Sequence, residues 1–196
     1  FQAEDGIRDC LLSRGLGDVY KRQMGDMSVK PHEFTGKHID PKEFKKWLDE
    51  GKEVTILDTR NDYEVRMGTF DGAVDLDIRS FRAFPKAVAE SDLPKDKPVV
   101  MFCTGGIRCE KASVVMLKEG YQKVYQIHGG ILNYFEETGG AHWNGECFVF
   151  DRRVGVDGEL NETTSEVCWA CREPLTPEQA ASPEFVRGVS CPYCIG

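Results

Sequence analysis

A chain of 196 residues with 40% hydrophobic and 30% charged content reads as a soluble globular protein of one ordinary domain with a small appendage, which excludes a disordered chain. The formal net charge of −8 leaves no overall basic footprint for nucleic acid. Apolar runs such as VVMF are too short to cross a bilayer, and no apolar stretch follows a basic start as in a signal peptide.

Residues 1–23, FQAEDGIRDCLLSRGLGDVYKRQ, lack helical or strand periodicity and resemble translated sequencing-adapter read-through. On that reading the segment is non-native, and Cys10, Lys21 and Arg22 carry no function; the alternative is a genuine disordered arm. DPKEFKKWLDEG then reads as a helix, with Asp40 as N-cap, Pro41 at the first position, Phe44, Trp47 and Leu48 on one face, and Gly51 closing it. VTILD (54–58) is a short buried strand, and NDYEVRMG supplies a helical turn or two. GAVDLDI (72–78) is extended, and FRAFPKAVAE is a helix interrupted or begun at Pro85.

PVVMF (98–102) is an apolar strand, followed by a helix beginning near Cys109 with Ala112, Val115, Met116 and Glu119 at helical spacing. KVYQIHGG closes the series, and CFVFD (147–151) is one more strand. Strands alternating with helices predict an α/β fold with a parallel sheet flanked by helices and sites at the C-terminal strand ends. Two basic clusters, Arg79 with Arg82 and Lys86, and Arg152 with Arg153, are candidate RNA contacts; each alone reads more simply as solvated charge.

The loop after the central strand, CTGGIR, carries the chemistry. It lies at a helix N-terminus, where unpaired N–H groups and the helix dipole favour an anion. Gly105 and Gly106 let the backbone curl so that N–H groups converge, and Arg108 adds positive charge. A thiol in that setting, Cys103, is expected to ionise near neutral pH. Four residues, Thr104 to Ile107, separate Cys103 from Arg108, one fewer than in Cys-x5-Arg phosphatase loops, so the ring suits sulfur or another group smaller than phosphate. Cys109 is either a resolving thiol for an oxidised Cys103 or plain core.

From this loop outward the chain resembles the rhodanese family. ILDTRNDYEVRMGTFDGAVDL resembles the family's first signature, matched by Asp58, Arg60, Glu64, Gly68, Gly72 and Ala73. VYQIHGGILNY resembles the second, with Gly129 and Gly130 opening the final helix. The resemblance implies a five-stranded parallel sheet, with Cys103 as the sulfur-carrying or otherwise reactive nucleophile.

CTGGIRCEKAS and HWNGECFVFDRRVGV together resemble a narrower group, the rhodanese-containing tRNA uridine-34 hydroxylases, over about residues 30 to 196. That resemblance implies oxygen-dependent formation of 5-hydroxyuridine at the wobble position, with tRNA as partner, molecular oxygen as co-substrate and Arg108 assisting Cys103. It also implies a missing N-terminal α/β domain and a chain that continues beyond Gly196. The domains expected are 1–23 non-native, 30–140 rhodanese-like, 141–160 a strand-containing extension, and 161–196 cysteine-rich. No flavin or nicotinamide motif and no 2-His-1-carboxylate iron triad is readable. His32, His38 and His142 are scattered, and His128 reads as structural.

CWAC (168–171) and CPYC (191–194) are CxxC pairs nineteen residues apart, a spacing that predicts a structural zinc site on Cys168, Cys171, Cys191 and Cys194. CxxC pairs plus a loop thiol, rather than a disulfide framework, place the protein in the reducing cytoplasm. Three functions follow: tRNA hydroxylation, sulfurtransfer through a Cys103 persulfide, or a non-enzymatic module with an anion-binding loop and a zinc-organised docking segment. The intact cysteine argues against the third, and the oligomeric state is left open.

Overall fold

The computed structural model describes residues 35–195; the 1–23 segment with Cys10, Lys21 and Arg22, and also His32, lie outside the described residues. In chain order the first elements are β1 (Lys37–Ile39), α1 (Pro41–Asp49), β2 (Thr55–Asp58), α2 (Asp62–Met67) and β3 (Gly68–Phe70). A 3-10 turn (Phe81–Ala83), α3 (Phe84–Glu90), β4 (Val99–Phe102), α4 (Ile107–Lys118), β5 (Val124–Ile127) and α5 (Gly130–Thr138) follow. Short pieces complete the chain: β6 (Trp143–Gly145), β7 (Cys147–Phe148), β8 (Gly155–Val156), β9 (Glu166–Val167), β10 (Pro174–Leu175) and α6 (Pro177–Ala180).

The main sheet is parallel, in the order β1-β5-β4-β2. All four residues of β4 are buried, because helices cover both faces of a central parallel strand. Alternation along β4 sends Val99 and Met101 to one face, where they meet Phe84, Val115 and Met116 of α3 and α4. Val100 and Phe102 meet Phe44, Tyr134 and Phe135 of α1 and α5 on the other. The α1 start is as predicted: Asp40 Oδ1 accepts from the N–H groups of Lys42 at 2.9 Å and Glu43 at 3.4 Å. Gly51 leaves the helix at φ +63°.

Four details differ from the expectation. The sheet has four strands, and the expected fifth is reduced to one parallel bridge, Leu57 with Val74. Just beyond it Asp75 Oδ1 accepts from the Asp77 N–H at 2.9 Å and Asp77 takes φ 50°, turning the chain away before a second pair can form. KHI, read as no element, is β1; its partner backbone is supplied by β5. Helix α4 starts at Ile107 rather than near Cys109, because Gly106 at φ 85° already makes the turn and serves as N-cap. The CFVFD strand is only Cys147–Phe148, one arm of a hairpin with β8 that is closed by Val149 N–H on Val154 O at 2.9 Å.

The segment after α5 is part of the main core. β6 pairs antiparallel with β3, and Cys147, Val149 and Val156 join the cluster of Phe70, Tyr134 and Phe135. The cysteine-rich segment has only a small core of its own, Cys168, Leu175 and Cys191 with Phe185 and Ala180 against them. Among the described residues no helix is long and apolar enough to cross a membrane.

Candidate active site

Cys103 follows the end of β4, where the chain must turn before α4. The carbonyls of Cys103 and Thr104 accept from the N–H groups of Ile131 at 3.0 Å and Leu132 at 3.2 Å, in the first turn of α5. Gly130 permits this approach: a Cβ there would stand 2.5 Å from Cys103 O and 2.6 Å from Gly106 N. The second glycine pair of the sequence is therefore a seat for the loop. Gly105 and Ile107 face solvent, while Thr104 and Cys109 are buried.

The Gly106 N–H donates to Cys103 Sγ at 3.2 Å. The Cys103 thiol, only 2% exposed, is drawn down to about 6. The Cys109 thiol, as hydrogen-bond donor, is the largest cause; burial opposes it, and the Arg108 charge and the N–H groups of Cys109 and Arg108 assist. Burial pushes the Cys109 thiol up, and the neighbouring sulfur anion pushes it further. One cysteine thus ionises while the other keeps its proton. Thr59, which sequence reading passed over inside the Asp58–Arg60 motif, holds its hydroxyl 3.6 Å from Cys109 Sγ and donates to Phe102 O at 2.8 Å.

Arg108 is tied elsewhere. Its guanidinium makes a bidentate pair with the fully buried Glu64, Nη1 to Oε2 at 2.6 Å and Nη2 to Oε1 at 2.7 Å. Glu64 also accepts from the Asn61 N–H at 3.2 Å and from Thr104 Oγ1 at 3.4 Å. The arginine's charge is therefore shared with Glu64, and Cys109 contributes more than Arg108 to stabilising the thiolate.

Asp58 and Arg60 form a pair with both side chains at 0% exposure. Asp58 accepts from Arg60 Nε at 2.9 Å and Nη2 at 2.6 Å, and from Thr69 Oγ1 at 2.9 Å. Arg60 Nη2 also donates to Gly68 O at 2.6 Å, so the pair fastens the end of β2 to the turn into β3. A Cβ on Gly68 would meet Asn144 O at 2.5 Å, which explains that glycine.

The predicted metal ligands come together. The sulfurs of Cys168, Cys171, Cys191 and Cys194 all lie within 4.8 Å of one another. Close pairs measure 3.9 Å (Cys168–Cys194), 3.5 Å (Cys171–Cys191) and 3.7 Å (Cys191–Cys194). A tetrahedral ion with metal–sulfur bonds of about 2.3 Å requires edges of about 3.8 Å, so this cluster could hold a metal ion. His38 and His128 meet edge-on at 5.5 Å, and His142 Nε2 lies 2.7 Å from Asp49 Oδ1. Among the described residues no histidine joins a metal cluster.

The first basic cluster is largely ion-paired. Arg79 binds Asp62 at 3.2 Å and Glu173 at 2.8 Å, and Lys86 faces Glu90 at 3.8 Å. Glu173, two residues past Cys171, also takes Arg66 of α2 at 2.5 Å, which links the cysteine segment to the helix carrying Glu64. In the second cluster Arg153 pairs with Asp151 at 2.7 Å and Arg152 is exposed.

Comparison with known proteins agrees with this picture. The Rhodanese-like domain family model matches residues 40–137. The chain is 50% identical over 174 residues to a tRNA uridine(34) hydroxylase of Cupriavidus taiwanensis, covering 86% of this chain and 62% of that protein. To the protein of that name from Picosynechococcus sp. it is 50% identical over 175 residues, covering 88% and 58%. To that from Burkholderia ambifaria it is 48% identical over 203 residues, covering 98% and 71%. The chain spans about three fifths of the length of the first two.

Proposed function

The chain belongs to the tRNA uridine(34) hydroxylase family, and on that premise we propose that the whole protein hydroxylates the wobble uridine of tRNA to 5-hydroxyuridine, with Cys103 as its reactive thiol. The observation that carries the reading is the buried Cys103 thiol drawn down to about 6 and held by the Gly106 N–H. A thiolate is the nucleophilic and oxidisable form of cysteine. Gly106 and Cys109 hold the negative charge on Sγ, and the Arg108–Glu64 pair ties α4 to α2 across the loop. Molecular oxygen is the co-substrate, and tRNA is the partner.

The metal is zinc in a structural role. Cys168, Cys171, Cys191 and Cys194 would hold it, and four thiolates would leave no open position for substrate. A reactive thiol and a tRNA substrate suit the reducing cytoplasm. The second reading, sulfurtransfer through a Cys103 persulfide, is favoured by the small ring of the loop, whose N–H groups would equally suit a terminal sulfur anion.

Mass spectrometry of tRNA from cells lacking the full-length gene decides between them. Complementation with the wild-type protein should restore 5-hydroxyuridine, and Cys103→Ser should restore none. Normal 5-hydroxyuridine with Cys103→Ser contradicts Cys103 as the reactive thiol, and no 5-hydroxyuridine with the wild-type protein contradicts the hydroxylase reading. A cyanide-labile persulfide with thiosulfate turnover would support the sulfurtransferase instead.

A further inference from the structure

The loop has an aromatic flank that the chemistry above does not use. Phe150 is 68% exposed, so one face of its ring is open to a partner. It stands edge-to-face with Phe148 at 4.9 Å, and Phe148 with Tyr63 at 5.5 Å, so the three rings form a continuous row. The row reaches the site directly: Thr104 Oγ1 lies 3.5 Å from Phe148 O, and the Arg108 guanidinium lies 5.8 Å from the centre of the Phe150 ring.

The ring is held in place. It sits in the β7–β8 turn, which is closed by Val149 N–H on Val154 O at 2.9 Å and by Arg153 on Asp151. Arg152, two residues on, adds exposed positive charge on a chain whose net charge is −8. An aromatic face with the exposed Arg152 beside it matches the chemistry of single-stranded nucleic acid, in which bases stack on rings while arginines meet phosphates.

We propose that Phe150 is a stacking platform for an unpaired base of the RNA substrate, placing that strand across the mouth of the Cys103 loop. This rests on the tRNA reading and names the surface that would receive the nucleotide. Base–aromatic stacking sets the expected size of the effect, a 5- to 150-fold loss of affinity, roughly, when the ring is removed.

The test uses the full-length protein and a fluorescently labelled anticodon stem–loop RNA with a uridine in its loop, read by anisotropy. Phe150→Ala should weaken binding by about that factor, Phe150→Trp should retain it, and Phe150→Leu, apolar without a π face, should behave like alanine. The Cys103 alkylation rate and the melting temperature should stay at wild-type values in all three. Unchanged RNA affinity in Phe150→Ala overturns the proposal, even if 5-hydroxyuridine is lost in cells, since the ring would then serve a protein contact. Full rescue by Phe150→Leu overturns it too, and so does a fall in melting temperature, which would mean that another segment covers the ring. If the wild-type protein fails to restore 5-hydroxyuridine while Phe150→Ala weakens RNA binding, the hydroxylase reading falls and the platform stands.

Discussion

Asp58→Ala should destabilise the rhodanese-like domain by about 3–5 kcal/mol in equilibrium urea denaturation, the range expected when one partner of a buried ion pair is removed. Both side chains are at 0% exposure, so no water can replace the lost carboxylate. Arg60 would keep only Gly68 O as a side-chain hydrogen-bond partner, and its Nη1 already has none. Its remaining compensation is the aromatic wall, with the guanidinium 5.1 Å from the Trp143 ring and 5.7 Å from Phe102. Thr69 Oγ1 loses its acceptor as well. The double variant Asp58→Leu with Arg60→Met should recover much of the loss, because an apolar pair leaves no stranded charge. A cost below about 1 kcal/mol for Asp58→Ala would mean that the pair is not buried as described.

Removal of zinc from the proposed four-cysteine site should have a comparably large but local effect. The core of the cysteine segment is Cys168, Leu175 and Cys191, and two of those three are proposed ligands. Structural zinc contributes about 10–16 kcal/mol to small domains of this kind, far more than such a core can supply. Elemental analysis should find one zinc per chain. After chelation, amide exchange should accelerate across residues 166–194 while β4 and α4 stay protected. Because Glu173 joins Arg66 and Arg79, α2 should show a secondary increase. Absence of metal, with exchange indifferent to chelator, would refute the zinc assignment.

What could be read from the chain depended on how local its cause was. Asp40–Pro41 marks α1 because the capping contacts lie two and three residues away. The strand–loop–helix around Cys103 was legible for the same reason, since glycine pair, thiol and arginine are contiguous. The four-cysteine cluster was legible because CxxC pairs set two sulfurs on each of two tight turns. β1 was not, because three residues with only Ile39 buried carry no pattern of their own and pair through the backbone of β5. The lost fifth strand depends on one aspartate turn that periodicity does not register.

At the site itself, the division of labour between Arg108 and Cys109 was hidden. Arg108's partner Glu64 lies 44 positions earlier in the chain, and only the fold shows that the arginine shares its charge with it. Adjacent letters suggested either a resolving thiol or core for Cys109; burial beside Cys103 adds the role of proton-bearing neighbour. Similarly, the Arg79 cluster looked free until Glu173, 94 positions on, was brought against it.

Alkylation by iodoacetamide tests most directly whether Cys103 is a thiolate held first by the Cys109 thiol, with the Arg108 charge and the loop N–H groups assisting. Trypsin cuts after Arg108, so Cys103 and Cys109 fall in separate peptides and each can be followed by mass. The rate at Cys103 should rise with a midpoint at about 6 and level off above neutral pH, since ionisation increases as pH climbs through the lowered value. In Cys109→Ala the midpoint should move up towards the ordinary thiol range, because the largest stabilising donor is gone. A wild-type midpoint near about 8.5, or one that Cys109→Ala leaves in place, would contradict the account.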